Sequence, residues 1–365
     1  MTKVLALVLA GGNGTRLQPL TNEHAKPALP LALGYRIIDF VLSNLVNSQI
    51  APIYVLAQYK PNSLIEHIRT AWTSRSPGLE SGITVVLPRT DAADGMFKGT
   101  ADAVYQNLDN IDRHQPDLVA VFAADHVYRM DVRQMVSFHQ ERNADVTIGA
   151  VPVPIDKASS FGIMLIGSDG SVREFQEKPE RPKPMPTDPG RAYASMGNYL
   201  FRRRVLVELL EDANRRGDTD FGRHILPRLL NSHRALAYDF TGNKVPGVQP
   251  YEERGYWRDI GTLDAYKGAQ RDVLGPLPRF SLVNPKWPIR GDYRMRTGNA
   301  WNATRVWPVQ CPAAAETHSE LNHLACSGPR REAVKRSDAR GSINSRMRDN
   351  DRRPFNPGVN EATDG

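Results

Sequence analysis

Cysteine is nearly absent from this chain of 365 residues: Cys311 and Cys326 are the only two, and none precedes them. That usage suits a reducing, cytoplasmic setting. Long hydrophobic runs are missing as well. The opening stretch from Val4 to Ala10 follows a single Lys3 and flows into glycines rather than a cleavage site, so it does not read as a secretory signal. No later segment approaches the roughly 18 consecutive apolar residues that a bilayer-spanning helix requires, and no membrane partner is expected. Basic runs are short, the longest being the three arginines Arg202, Arg203 and Arg204. The net charge is +7, yet Lys and Arg are scattered among carboxylates. That pattern favours attraction for small polyanions over a nucleic-acid partner, for which no recognition motif is present.

What is there is an alternation. Val4–Leu9, Ile53–Ala57, Ile83–Leu87, Leu118–Ala123 and Val146–Val153 are short, continuous and apolar, as buried strands are. Between them, Ile37–Ser48, Asn62–Trp72, Ala101–Ile111 and Val132–Glu141 carry apolar residues at three- and four-residue spacing, which predicts amphipathic helices. The implied class is α/β: a Rossmann-like, mostly parallel sheet with helices on both faces. Ligands in such sheets collect at the carboxyl ends of strands, so the loops after Leu9, Leu87 and Ala123 are the places to search. Further on, Met164–Ile166 and Val172–Glu177 flank a GSDG turn and read as a hairpin. A strand follows around Ala194–Phe201, with helices at Arg204–Arg215, Phe221–Leu230 and Leu263–Leu274. No linker interrupts this stretch. From Trp301 to Gly365 periodicity fades, no repeat is visible, and the composition is that of a disordered segment.

The first strand ends in GGNGTR. The Lys-Ser/Thr pair of a P-loop is missing, and Leu17 stands where the dinucleotide fingerprint needs its third glycine. Two familiar phosphate signatures are thereby excluded. Three glycines in four positions can still turn successive N–H groups toward an anion, and Arg16 adds a fork of donors that keeps its charge.

Beyond it come Lys26 in HAKPALP and then YRIIDF, LSN and NS. Here the sequence resembles the nucleotidyltransferases that make nucleotide sugars, and within them the ADP-glucose pyrophosphorylases (glucose-1-phosphate adenylyltransferases). The resemblance continues in order through FKGTADAVYQNLD, FAADHVYRMD, VPIDKASSFGIM, FQEKP, ASMGNYLF, DFGRHILP, YWRDIGTLDAY and NPKWPIR. It implies a GT-A-like nucleotidyltransferase domain over residues 1–290. It implies transfer of AMP from ATP to α-D-glucose 1-phosphate, with Mg²⁺ as cofactor, in glycogen or α-glucan synthesis under allosteric control.

The resemblance also assigns residues. Asp125, after the strand LVAVFAA, and Asp259, in YWRDIG, become metal ligands; taken alone they read equally as a strand-end turn residue and a helix cap. Mg²⁺ prefers one or two carboxylates together with phosphate oxygens. Arg16 and Lys26 become catalytic cations beside Asp125. Ala10, Gly11, Gly12, Gly14, Thr15, Gln58, Gly99, Thr100 and Ala101 are expected around ATP. Phe97, Gly162, Glu177, Lys178 and Ser195 are expected around the sugar phosphate.

Some positions depart from the family pattern. His24 stands where Arg is usual, Phe97 replaces a frequent Tyr, and Ala32 and Leu33 fill a loop that is ordinarily richer in glycine. The family continues into a left-handed β-helix of six-residue repeats that supports homotetramers. Residues 291–365 show no such repeat, so they are expected to be a truncated or disordered tail, with oligomerisation left open. Two other readings compete with an active adenylyltransferase: an enzyme using another nucleoside triphosphate, and a catalytically weak regulatory or truncated homologue that binds nucleotide.

Overall fold

The computed structural model describes residues 2–32, 34–73, 82–89 and 95–291. Leu33, both cysteines and the tail from 292 onward, with the expectation of a missing β-helix, lie outside the described residues. The elements run as follows. The chain begins with β1 (Val4–Ala10), a small hairpin β2 (Pro30–Leu31) and β3 (Tyr35–Arg36), α1 (Ile37–Asn47), β4 (Ile53–Ala57), α2 (Asn62–Ile68) and β5 (Ile83–Val86). Then come α3 (Thr100–Tyr105), α4 (Leu108–His114), β6 (Leu118–Ala123), β7 (His126–Tyr128), α5 (Val132–Glu141) and β8 (Val146–Pro154). The remainder is β9 (Gly162–Ile166), β10 (Val172–Glu177), β11 (Arg191–Arg202), α6 (Arg203–Arg216), α7 (Leu226–Leu229), β12 (Ala235–Asp239), β13 (Trp257–Asp259) and α8 (Leu263–Asp272).

The main sheet has the order β10-β9-β11-β6-β1-β4-β5, with β8 also paired to β11 and β12 to β8. Its centre, β6-β1-β4-β5, is parallel. The long β11 runs antiparallel to β6, β8 and β9 and extends the sheet on one side. Alternation along β1 explains the layering. Ala6, Val8 and Ala10 join Leu42, Leu64, Phe122 and Met135 on one face, whereas Leu5 and Leu7 join Val104, Leu206, Leu210 and Leu226 on the other. Helices therefore cover both faces, as the periodicity implied. A third apolar cluster, with Leu17, Phe40, Tyr256, Phe280 and Ile289, welds the β2–β3 hairpin to the segment around α8. Among the described residues no helix is long and apolar enough to cross a membrane.

Where the elements differ from the sequence reading, the cause is local. The helix expected over Ala101–Ile111 is two helices, because the Asn107 side chain donates to Ala103 O at 2.8 Å and competes with the helical ladder. The segment expected as helix from Phe221 begins as a π-helical turn, Phe221–Ile225, capped by Asp220. The strands β7, β12 and β13 are too short, or too alanine-rich, to announce themselves by pattern.

Candidate active site

Strand register brings the first site segments together. Leu9 pairs with Leu56 and with Ala123, so the chains leaving β1, β4 and β6 emerge side by side at their carboxyl ends. Ala10 is the last residue of β1 and its side chain is core, so a ligand meets only its main chain. The loop after it bends at Gly14, whose φ of +67° suits glycine and whose missing Cβ would lie 2.9 Å from Thr21 Cγ2. Thr21 Oγ1 donates to Gly14 O at 2.8 Å, and Lys60 Nζ donates to Thr21 O at 2.8 Å. The loop is thus pinned from β4's side. Gly12 has open space beside it, and Thr15 and Arg16 are exposed. Arg16 makes no hydrogen bond or ion pair with the described residues, while Gly261 lies beside its guanidinium.

Gln58, just past β4, bridges two candidate segments: Nε2 donates to Gly11 O at 3.2 Å and Oε1 accepts from Phe97 N at 2.8 Å. Phe97 is 5% exposed, its ring part of the core. Gly99, Thr100 and Ala101 open α3 as expected, but their small size already serves the protein. A Cβ on Gly99 would fall 2.4 Å from Thr219 O, and that carbonyl accepts from Ala101 N at 2.8 Å. Thr100 Oγ1 donates to Asp220 Oδ2 at 3.0 Å.

Asp220 lies one residue before Phe221 and Gly222, which leads to the second group. Glu177 Oε2 sits against both Gly222 and Gly162, where a Cβ would come to 2.5 Å and 3.0 Å. Larger residues at either glycine would displace this carboxylate. Glu177 Oε1 is 3.0 Å from Lys178 Nζ. Ser195 lies at the start of a bulge in β11, its Oγ accepting from Gly197 N at 3.2 Å and reaching Tyr199 OH at 3.5 Å. Burial raises the Tyr199 phenol to beyond its usual range, with Glu177 and Asp220 adding to the effect, which places all three close together.

A third group is a cluster of charges around Lys26. Lys26 Nζ donates to Asp125 Oδ2 at 2.6 Å and is 3.6 Å from Asp259 Oδ1. Asp125 follows β6; Asp259 ends β13, which pairs with β7 so that Asp259 lies opposite His126, and Ile260 N donates to Asp125 O at 3.2 Å. Burial works against ionisation of Asp125, but the Lys26 ammonium and then His126 outweigh it and hold the carboxyl well below its usual range. Burial likewise lowers Lys26, and Asp125 and Asp259 together reverse this and leave it raised. Both groups are therefore charged near neutrality. Lys178 makes no hydrogen bond or ion pair with this cluster.

Residues 5–275 match the nucleotidyl transferase family. The chain belongs to that family. It is 52% identical over 290 residues to a glucose-1-phosphate adenylyltransferase of Thermodesulfovibrio yellowstonii, the match covering 79% of this chain and 71% of the relative. Proteins of the same name from Thermus thermophilus and Mycolicibacterium smegmatis are 48% and 47% identical, each over 79% of this chain and 71% and 72% of the relative.

In this nucleotidyl transferase, Asp125, His126 and Asp259 each offer one ligand atom, all within 4.8 Å of one another, a set able to hold a divalent metal ion. Two carboxylates suit a hard cation. Sequence reasoning missed His126, although it stands next to Asp125; nothing in the spacing separates it from an ordinary strand residue. Its Nε2 is 3.5 Å from Asp125 Oδ1 and 3.7 Å from Asp259 Oδ1, and its ring rests on Trp257 with centroids 4.9 Å apart. Thr219, Asp220 and Gly222, which join the α3 side of the site to Glu177, were also passed over. Asp220 and Gly222 stand within the DFGRHILP segment and Thr219 directly precedes it, but only their contacts show what they hold.

Proposed function

We propose that this chain transfers AMP from ATP to α-D-glucose 1-phosphate, forming ADP-glucose and pyrophosphate for glycogen or α-glucan synthesis, through a catalytic unit within residues 1–290. The observation that carries the reading is the convergence of Asp125 and Asp259, remote in sequence, on the Lys26 ammonium. The names of the relatives supply the substrates.

A phosphate oxygen of the sugar phosphate attacks the α-phosphorus. The new P–O bond forms as the bond to the β-phosphate oxygen breaks, and pyrophosphate leaves opposite the nucleophile. That nucleophile is already an anion, so no side chain need deprotonate it. The work left to the protein is alignment and charge neutralisation. Mg²⁺ held by Asp125 and Asp259 would withdraw charge from the reacting phosphates. Arg16 and Lys26 face the polyphosphate and stabilise the departing negative charge. Main-chain groups of Ala10, Gly11, Gly12, Gly14 and Thr15 receive the phosphates, while Gln58, Gly99, Thr100 and Ala101 border the nucleoside. On the sugar side, Glu177 accepts from glucose hydroxyls and Lys178 pairs with the sugar phosphate; Gly162, Ser195 and Phe97 shape that wall.

Pyrophosphate release with glucose 1-phosphate, Mg²⁺ and each of ATP, UTP, dTTP and GTP tests the substrate assignment. Turnover is expected with ATP and to fall by about tenfold or more with the others, since a mispaired base edge costs roughly 1.4 kcal/mol or more. Equal or faster turnover with another triphosphate would replace ATP; none with any of the four would refute the activity.

A further inference from the structure

The strand β7, which directly follows Asp125, and the strand β13, which ends in Asp259, form a two-stranded ribbon of their own, outside the main sheet. It has three residue pairs: Trp257 with Tyr128, Arg258 with Val127, and Asp259 with His126. Isolated two-stranded ribbons are marginal. A slip of one residue would carry Asp259 about 3.4 Å along the strand and turn its side chain to the other face. Asp125 and Asp259 sit at one end. At the opposite end, Arg129 directly follows β7, and Glu252 lies a short turn before β13.

These two side chains meet in a buried ion pair. Arg129 NH1 donates to Glu252 Oε2 at 3.0 Å, with the side chains 4% and 2% exposed. Arg129 NH2 also donates to Ser281 O. Glu252 accepts from Ser281 N and Gln249 N, both at 2.8 Å. The guanidinium lies 4.3 Å over the Phe280 ring, and Phe280 packs on Tyr256, the residue entering β13, with centroids 5.0 Å apart. Arg258 pairs with Glu253 and Asp272, which anchors β13 to its own flanks but says nothing about β7. Stability alone is a poor reason for a buried ion pair, because apolar replacements of such pairs are often neutral or better; fixing one register is the better-attested use.

We propose that Arg129 and Glu252 are positioning residues: their pair sets the register of β7 against β13, and through it the spacing of Asp125 and Asp259. The inference rests on the metal role proposed for those aspartates. The test is Mn²⁺ binding to the full chain, followed by electron paramagnetic resonance with α,β-methylene-ATP present, alongside Tm. Wild type is compared with Glu252→Gln, the double variant Arg129→Met/Glu252→Leu, and Asp125→Asn. Both clamp variants are expected to bind Mn²⁺ about tenfold more weakly or worse, the double variant at a Tm close to wild type. That combination separates positioning from mere stabilisation. Unchanged Mn²⁺ affinity in the clamp variants, with Asp125→Asn weakened, would overturn the inference. If Asp125→Asn also binds as wild type does, it is the metal role that fails. Should the double variant not fold, Glu252→Gln decides.

Discussion

Asp125→Asn is expected to lower pyrophosphate release by about 10²-fold or more, with secondary structure unchanged by circular dichroism. The substitution is nearly isosteric and leaves an oxygen able to accept from Lys26, so the packing behind β6 is preserved. What it removes is charge. In the native protein Lys26 and His126 keep this carboxyl ionised far below neutrality. An amide there cannot neutralise a cation. Because the folded state depresses this pKa, the ionised group also contributes stability that is present above its unfolded value and lost as pH falls through the folded one. The amide variant should therefore lose part of the acid sensitivity of wild type. Near-normal turnover would remove Asp125 from the reaction.

Lys26→Met should reduce turnover by about 10²–10³-fold, the scale for deleting one preorganised donor from a site of developing charge. The side chain is 10% exposed and lies against both carboxylates. Methionine fills its volume but leaves Asp125 and Asp259 without the ammonium between them. Two like charges brought together resist joint ionisation, so a lower Tm near neutral pH should accompany the kinetic loss. Arg16→Ala provides the contrast. Arg16 is exposed and makes no hydrogen bond or ion pair with the described residues, so its removal should cost turnover with Tm unchanged. If Lys26→Met lost only stability and kept its rate, the lysine would be a structural counter-ion and nothing more.

The parallel half of the sheet was legible because β1, β4 and β6 are buried on both faces and read as unbroken apolar runs. The small strands were not. β7 and β13 exist only because distant segments pair, and three residues carry no period. The same limit applies at the site. Asp125 stood out after an apolar strand and Asp259 within YWRDIG, but their meeting depends on that ribbon. Gly99 was placed around ATP by resemblance, and only the fold shows that its missing side chain also accommodates Thr219 O. His126 and the Thr219–Gly222 turn gain meaning only from what lies opposite them in space.

The central claim is that two aspartates from distant parts of the chain share one divalent cation beside the reacting phosphates. An anomalous-difference map from crystals of the full chain grown with Mn²⁺ and α,β-methylene-ATP tests it directly. The expected result is a peak about 2 Å from a carboxylate oxygen of Asp125 and of Asp259, in contact with the analogue's phosphates. A nucleotide-bound metal touching neither aspartate would contradict it.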